Sequence, residues 1–359
     1  MSQYLLVKGT AGLGNRIFVL VTAILYARMS DRALLVDWTD DFYTVRRENV
    51  FWQLFRLKAI PHEQQLAAIA PETKSVYPSL WKGKLTDSIE EVIDADDNNA
   101  LISQLGQGVF KKYACSLKDL SYGEEIAIAS GYDEEIDALR PLFNQGHAGG
   151  DYAHFKGLSK GAIFNETFYK HVELAPLVQA RLDAFKAEHF ADKTIIGIHI
   201  RMSDKAISLP WYKQALSEQL ARSPQAHIFL ATDNRDVEQE IREQYPNVIT
   251  LDKWLPEPGV RAHRNTDCPD LEEHAVTALL DIGLLASCDY LVYSRTTSFG
   301  RLASYISKAP EHQHFDIQLY NDRRRKGIGE RIGAVRDKVK RYYSYGLALL
   351  RLKGILPQK

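Results

Sequence analysis

Apolar and polar positions alternate in a regular way over the first forty residues. The apolar run Tyr4–Lys8 predicts a strand, and the segment Gly9–Gly14 that follows it is a glycine-rich turn. Apolar residues then recur at helical spacing over Ile17–Met29, and Ala33–Asp37 predicts a second strand. A strand, a helix and a strand in succession are typical of a parallel sheet covered by helices.

A second series of alternating elements begins near residue 174. Thr194–Ile200 reads TIIGIHI and is rich in β-branched residues, as expected of a buried parallel strand. Further predicted strands are His227–Ala231, Val248–Leu251 and Tyr290–Tyr293. The predicted helices are Leu174–Phe190, Trp211–Ala221, Val237–Gln244, Leu271–Ser287 and Ser298–Ser307. This pattern predicts a doubly wound α/β domain of about 130 residues.

Length and pattern together predict two domains. A chain of 359 residues is long for a single core, and residues 40–170 follow no clear period. We therefore predict an α/β fold with two Rossmann-like domains facing a cleft. The first is an N-terminal α/β domain over residues 1–188, and the second is a Rossmann-like domain over residues 189–320.

Residues 321–359 differ from the rest in their charge. They are rich in Lys and Arg and include the basic run Arg323–Lys326. Apolar residues recur there every three or four positions, at Ile328, Ile332, Val335 and Val339. A basic amphipathic helix is predicted, either packed on the domains with a solvated face or in peripheral contact with an anionic membrane surface.

Composition excludes several classes of protein. Apolar residues make up 45% and charged residues 25% of the chain, which is ordinary for globular proteins. A formal net charge of −1 argues against a general nucleic-acid binder. The distant cysteines Cys115, Cys268 and Cys288 form no CxxC pair and are expected to be reduced thiols. With no secretory signal and no apolar span in its pattern, the chain is expected to be cytoplasmic.

The glycine-rich turn is the first candidate for ligand binding. Gly12 and Gly14 let the backbone turn tightly and approach a ligand, with a helix N-terminus directly behind them. Asp37 ends the next strand where a dinucleotide-binding fold places its ribose-binding acid, so a nicotinamide or flavin site is an alternative. Ile17 argues against that alternative because it stands where the fingerprint has Gly or Ala. Arg16 places a cation at the helix start, where it suits an anion.

Polar side chains also cluster where the strand Thr194–Ile200 ends. Alternation places His199 and Arg201 on the same face of that strand, at the sheet edge where open α/β sheets bind ligands. The planar guanidinium of Arg201 suits a diphosphate. Asp204 follows closely enough to face the cleft, and it is a candidate general base or else an ion-pair partner of Lys205 or Arg16.

Three further positions complete the candidate site. Asp233 ends a predicted strand, where it can read a ribose or base or else belong to a helix cap. Asp281 lies in an apolar helix and needs a partner, which the N1–H and N2 amino group of guanine would supply. Thr297 and Ser298 occupy a strand-to-helix turn, where hydroxyl and backbone N–H groups can hold a phosphate.

Three motifs of the second half resemble the shared motifs of the α1,2-, α1,6- and protein O-fucosyltransferase superfamily. They are HIRMSDK, ATDN and DIGLLASCDYLVYSRTTSFGRLASYI. The second half is most similar to rhizobial nodulation fucosyltransferases and the core α1,6-fucosyltransferases. The N-terminal GLGNRIFVLVTAILYARMSDRALLVD looks like the plant xyloglucan α1,2-fucosyltransferases.

The resemblance implies a GT-B-like fold and an inverting enzyme that takes fucose from GDP-β-L-fucose and requires no metal or other cofactor. The N-terminal domain would then lie on the side of the glycan acceptor, and the C-terminal domain would bind the donor. Arg201 would bind the diphosphate with His199 beside it, Asp281 would read guanine, and Asp233 would lie near the nucleotide. The other implied donor contacts are Gly12, Gly14, Asn15, Arg16, Thr297 and Ser298.

The chain departs from this pattern at two points. Met202 stands where the core α1,6 enzymes have a second arginine, and the glutamate proposed there as catalytic base has no counterpart in Ala206–Leu209. These departures leave open a protein that binds the sugar nucleotide without transferring it. A metal-dependent transferase would need a DxD motif, and the sequence over Asp94–Asp97 is typical of a solvent loop instead. His312 and His314 lack a third ligand for a metal.

Overall fold

Two five-stranded parallel sheets form the framework of this computed structural model, which describes residues 3–96, 110–147, 150, 152–202, 208–257 and 267–319. The strands of the first half are Tyr4–Lys8 (β1), Ala33–Asp37 (β2), Phe55–Leu57 (β3), His62–Glu63 (β4), Val76–Tyr77 (β5), Ile126–Ala129 (β6) and Val172–Leu174 (β7). Those of the second half are Ile195–Ile200 (β8), His227–Thr232 (β9), Val248–Ile249 (β10), Tyr290–Tyr293 (β11) and His314–Asp316 (β12).

The helices before β7 are Leu13–Met29 (α1), Phe51–Leu54 (α2), Leu66–Ile69 (α3), Ile89–Asp96 (α4), Phe110–Tyr113 (α5), Ile136–Leu139 (α6) and Lys160–His171 (α7). Those after it are Pro176–His189 (α8), Leu209–Arg222 (α9), Arg235–Gln244 (α10), Leu271–Ala286 (α11) and Ser298–Ile306 (α12). Short 3₁₀ turns connect several of them.

The first sheet has the strand order β4-β2-β1-β6-β5. β1 lies at its centre and pairs in parallel with β2 on one side and β6 on the other. Its residues Leu5–Val7 are fully buried because helices cover both faces of a parallel sheet. α1 is buried over almost its whole length, which explains why its apolar residues are not confined to one face.

The second sheet repeats this plan with the order β10-β9-β8-β11-β12. β8 lies at its centre between β9 and β11, and all six of its residues are buried. In both sheets the connections run from the carboxyl end of one strand through a helix to the next. The carboxyl ends of β1, β8, β9 and β11 are therefore the positions at which ligand-binding loops are expected.

Helices from each half pack on the other half. α12 contacts α1 and α7, while α8 packs on α11. Asn165 of α7 donates to the carbonyl oxygens of Tyr305 and Ser307, at the end of α12. One apolar core therefore runs through both halves of the described chain and fixes their relative position.

The predicted fold class is confirmed, with two parallel α/β sheets as in GT-B-like proteins. The predicted boundaries of β1, β2 and β11 agree with the structure. The predicted helix Leu174–Phe190 is wrong at its start, because β7 pairs with β3 and Pro176 begins α8. The sequence pattern predicts none of β3, β4, β5, β6, β7 and β12. The domain limits at residues 188 and 320 stay a prediction, and residues 321–359 lie outside the described part.

Gly197, in the middle of β8, packs closely against Cys288, which follows the end of α11. A Cβ at this position would lie 2.8 Å from Cys288 Sγ and 3.1 Å from Cys288 Cβ. We expect Gly197→Ala to lower the free energy of unfolding by about 1–3 kcal/mol through overpacking. Chemical denaturation should show partial rescue by Cys288→Ala.

Gly131→Ala is the matched control for this prediction. Its Cβ would meet only a methyl group of Val19 at 3.6 Å, which is ordinary van der Waals contact. Equal losses of stability in Gly197→Ala and Gly131→Ala would show that the contact with Cys288 is not the cause.

Candidate active site

A pocket with a cavity volume of about 490 Å³ lies between the two halves. The first half contributes the start of α1 and two nearby loops, with Gly12, Gly14, Asn15, Tyr43, Tyr132 and Asp133. The second half contributes the ends of β8, β9 and β11 and one side of α11. Nine of the ten positions predicted to bind the donor line this pocket: Gly12, Gly14, Asn15, His199, Arg201, Asp233, Asp281, Thr297 and Ser298.

The N-termini of α1 and α12 meet at the wall of the pocket. A Cβ on Gly14 would lie 3.1 Å from the carbonyl carbon of Ser298 and 3.2 Å from the amide nitrogen of Phe299. The Ser298 hydroxyl donates to Asn15 Oδ1 at 3.0 Å, and Asn15 Nδ2 donates to the Tyr132 carbonyl oxygen at 2.6 Å. Two positive helix ends therefore face one cavity, an arrangement that favours an anion.

The hydroxyl groups of Thr297 and Tyr43, at these helix starts, form hydrogen bonds with backbone groups of the protein. Thr297 Oγ1 caps α12 by accepting from the Gly300 N–H at 3.3 Å, and it donates to the Ser294 carbonyl oxygen at 2.9 Å. Tyr43 accepts from the Leu13 N–H of α1 at 2.8 Å. These bonds set the direction of both helix ends, so the contribution of this wall to an anion comes from the helix dipoles.

His199 and Arg201 both reach the pocket from the end of β8. The ring of His199 stacks on Phe299 with centroids 4.8 Å apart and lies 3.4 Å from Thr297 Oγ1. Burial, reinforced by the charges of Arg201 and Lys253, lowers the pKa of His199 to about 3. The imidazole is therefore neutral near pH 7, and of these two side chains only Arg201 brings positive charge.

Asp233 supports Arg201 from the neighbouring strand. Asp233 Oδ1 accepts from the Met202 N–H at 2.9 Å, and Asp233 Oδ2 lies 4.0 Å from Arg201 Nε. Asn234, and not Asp233, caps the following helix by accepting from the Val237 N–H at 3.0 Å. The two interpretations of this motif therefore apply to adjacent residues, with Asp233 in the pocket and Asn234 in the cap.

Asp281 lies at the α11 side of the pocket and is 2% exposed. Its Oδ2 forms an ion pair with Lys253, while its Oδ1 has no hydrogen-bond partner in the described residues. Burial raises the pKa of this carboxyl group, and Lys253 opposes that shift. A buried carboxylate oxygen without a partner is costly, and a hydrogen bond from a ligand would remove that cost.

Two family models match the chain, and together they span most of its length. The family described as nodulation protein Z (NodZ) matches residues 162–329, and xyloglucan fucosyltransferase matches residues 2–116. Each of the two matches contains most of one of the five-stranded sheets.

Individual relatives agree with these matches. Nodulation protein Z of Azorhizobium caulinodans is 24% identical over 336 residues, covering 82% of this chain and 86% of that protein. The Bradyrhizobium diazoefficiens protein of the same name is 29% identical over 168 residues. That alignment covers 42% of this chain and spans less than half, 44%, of the relative.

The chain is related to the NodZ-like fucosyltransferases. Its enzyme class is that of the fucosyltransferases, a class of glycosyltransferase. A crystal structure of NodZ α1,6-fucosyltransferase, soaked with GDP-fucose, shares the fold with a TM-score of 0.57 at 19% identity. The likeness covers 86% of this chain and 93% of that one.

Arg16 is the one predicted donor contact of the described residues that does not line the pocket. It is 1% exposed and forms an ion pair with Asp40, and its Nε donates to the Ala11 carbonyl oxygen at 3.0 Å. Its guanidinium also lies 4.9 Å from the centroid of the Tyr43 ring. In this NodZ-like chain Arg16 therefore holds the glycine-rich turn from behind, because its side chain turns into the core.

Sequence reasoning missed several residues of the pocket. Lys253, Trp254 and His274 line its α11 side, and the rings of Trp254 and His274 meet edge to face at 5.5 Å. Arg301 pairs with Asp133 across the two halves. The carboxylate of Asp281 in an apolar helix indicates that a cationic partner lies nearby. No local pattern in the sequence identifies that partner as Lys253.

Asp204 lies outside the described residues, so its place in the site stays a prediction. Within the described residues no group of three or more His, Cys, Asp or Glu side chains is placed to hold a metal ion. No helix of the described chain is long and apolar enough to span a membrane.

The free energy of unfolding should depend on the buried ion pair between Arg16 and Asp40. Removing the guanidinium in Arg16→Met leaves Asp40 buried without its cation, which should cost about 3–5 kcal/mol of unfolding free energy. Arg47→Met is the control, because the side chains of its pair with Glu91 are 46% and 44% exposed and exposed pairs contribute less than about 1 kcal/mol. Chemical denaturation of the two variants should separate them, and similar losses would contradict a structural role for Arg16.

The protonation of Glu90 should make the free energy of unfolding depend on pH. Its Oε1 accepts from the Thr10 hydroxyl at 2.5 Å in the glycine-rich turn, while its Oε2 is buried and has no hydrogen-bond partner in the part of the chain that the structure describes. Burial and the nearby charge of Asp40 raise the pKa of Glu90 to about 7. The folded state thus binds this proton more tightly than the unfolded state, and its stabilising effect is lost as the pH rises through the folded pKa.

Relative to Glu90→Gln, the free energy of unfolding of the unmodified protein should therefore fall by on the order of 2–3 kcal/mol between pH 4.5 and 7.5. Denaturant titrations of both proteins at several pH values would measure this difference. A difference that stays constant with pH would contradict the prediction.

Proposed function

We propose that this protein transfers L-fucose from GDP-β-L-fucose to a hydroxyl group of a glycan, with inversion at the anomeric carbon and without a metal ion. The observation that carries this proposal is that one cavity contains both a cationic region and a carboxylate acceptor. Arg201 and two positive helix ends suit a diphosphate, whereas the unpartnered oxygen of Asp281 suits the N–H groups of guanine. The cavity volume of about 490 Å³ is in the range of small-molecule sites.

The diphosphate is the part of the donor that develops charge during the reaction. As the bond between the anomeric carbon and the phosphate oxygen breaks, negative charge collects on the leaving GDP. Arg201 and the N-termini of α1 and α12 are fixed in place before the reaction and supply the compensating positive charge. Asp233 contributes indirectly, because it holds the backbone beside Arg201.

The acceptor hydroxyl attacks the anomeric carbon from the face opposite GDP and gives up its proton. Asp204 remains our candidate for the base that receives this proton. Tyr43, Tyr132 and Asp133 form the wall of the first half, where the glycan acceptor would approach. For the basic segment 321–359, peripheral contact with a membrane remains a prediction.

The two alternatives receive less support. A nicotinamide or flavin enzyme needs Asp37 for the ribose, but Asp37 is 5% exposed, pairs with Lys8 and does not line this pocket. A protein that binds the sugar nucleotide without transferring it is consistent with Met202. Activity measurements distinguish it from an enzyme.

We expect Arg201→Ala to lower the rate of fucose transfer by on the order of 10²–10³, because one fixed donor to the leaving group is lost. The fold should be retained, since Arg201 lies at the wall of the pocket. Arg242→Ala is the matched control, because Arg242 pairs with Glu238 on the surface of α10 in the same half. Near-normal transfer by Arg201→Ala, measured with GDP-fucose and an acceptor it uses, would contradict the assignment.

Calorimetric titration with GDP, UDP and NADH in the absence of added metal tests the donor. Micromolar binding of GDP with weak binding of UDP and NADH is the expected result. Tight binding of NADH with no preference for GDP would favour the oxidoreductase instead.

A further inference from the structure

The pair formed by Lys253 and Asp281 holds two opposite charges at the α11 side of the pocket. The side chains are 12% and 4% exposed, and Lys253 comes from the loop after β10 whereas Asp281 lies in α11. Lys253 contacts only Oδ2 of the carboxylate, so Oδ1 is left without a partner. The pair thus places a cationic donor beside a buried carboxylate oxygen that has no hydrogen-bond partner among the described residues.

Lys253 lines the same cavity as His199, at the end of β8, and His274, on α11. This places Lys253 at the wall of the pocket, beside Asp281. Its charge also contributes to the lowered pKa of both histidines.

We propose that Lys253 determines base specificity by donating a hydrogen bond to O6 of guanine while Asp281 Oδ1 accepts from the neighbouring N–H groups of the base. This inference rests on the proposed function, because it concerns the nucleotide part of the same donor. O6 and N1–H are adjacent on one edge of guanine, as the ammonium and the free carboxylate oxygen are adjacent in the pocket.

Adenine is rejected by the same pair. Its 6-amino group would place a donor against the ammonium of Lys253, and its N1 has no hydrogen to give to Asp281. The ammonium of Lys253 and Oδ1 of Asp281 would then have no hydrogen bond to the base, which a site of this kind penalises strongly. When no nucleotide is bound, the ion pair balances the charges of these two residues.

The first test changes the ligand and leaves the protein intact. GDP and 6-thioguanosine diphosphate differ only at position 6, where sulfur is a much weaker acceptor than oxygen. Calorimetry should show that the intact protein binds the thio analogue about ten- to a hundredfold more weakly than GDP. Equal affinities would overturn the role of Lys253, and they would leave the proposed function standing as long as GDP binds well.

The second test is a cycle with Lys253→Met. This variant should bind GDP and 6-thioguanosine diphosphate with nearly equal affinity, because the donor that distinguishes them is gone. The ratio between GDP and inosine diphosphate, which lacks only the 2-amino group, should stay as in the unmodified protein. Lys213→Met is the matched control, because Lys213 pairs with Glu240 outside the pocket.

The outcomes separate the two hypotheses. If the unmodified protein binds none of the guanine nucleotides, the proposed function fails. If Lys253→Met weakens the binding of GDP and of the thio analogue by the same factor, Lys253 is only a structural partner of Asp281 and the inference fails. Since Lys253→Met leaves a buried carboxylate without its cation, the ligand comparison on the intact protein decides the question should the variant not fold.

Discussion

The contact between the N-termini of α1 and α12 is the constraint on which the site depends. Gly14 has no side chain, so the backbone of Ser298 and Phe299 packs directly against the first turn of α1. A Cβ there would be closer than most real Cβ contacts, and the neighbouring backbone would have to move by a few tenths of an ångström. Because of this approach, helix ends from the two sheets face one cavity and act on one anion.

Buried charge pairs behind the pocket hold the backbone of this arrangement in place. Arg16 pairs with Asp40 beneath the glycine-rich turn, and Lys8 pairs with Asp37 at the end of β1. Buried pairs of this kind contribute little net stability, but they fix the backbone around them, since breaking either would leave an uncompensated charge. Asp281 Oδ1 and His274 Nδ1 have no hydrogen-bond partners among the described residues, which is typical of a site that is completed by its ligand.

The two halves contribute differently to the proposed reaction. The second half supplies Arg201, Asp281 and Lys253, which suit a nucleoside diphosphate, and the first half supplies a wall of tyrosines and a carboxylate for the acceptor. The two family matches divide earlier in the chain than the two halves do, between residues 116 and 162. α7, which begins at Lys160, packs against both α1 and α12, so it joins the halves through one core.

The sequence by itself determined the α/β class, the main strands and most positions of the site. Strands such as β8 are predicted by a continuous run of apolar, β-branched residues. Polar residues directly after such a strand lie at the carboxyl edge of the sheet, so their position follows from the local sequence. The two-residue strands β4 and β5 have no such pattern, because pairing with distant neighbours alone makes them strands. Only the tertiary structure decided that Arg16 turns into the core and that Lys253 meets Asp281. These are contacts between segments far apart in the chain, and their geometry depends on how helices and loops pack, which no local spacing of residues encodes.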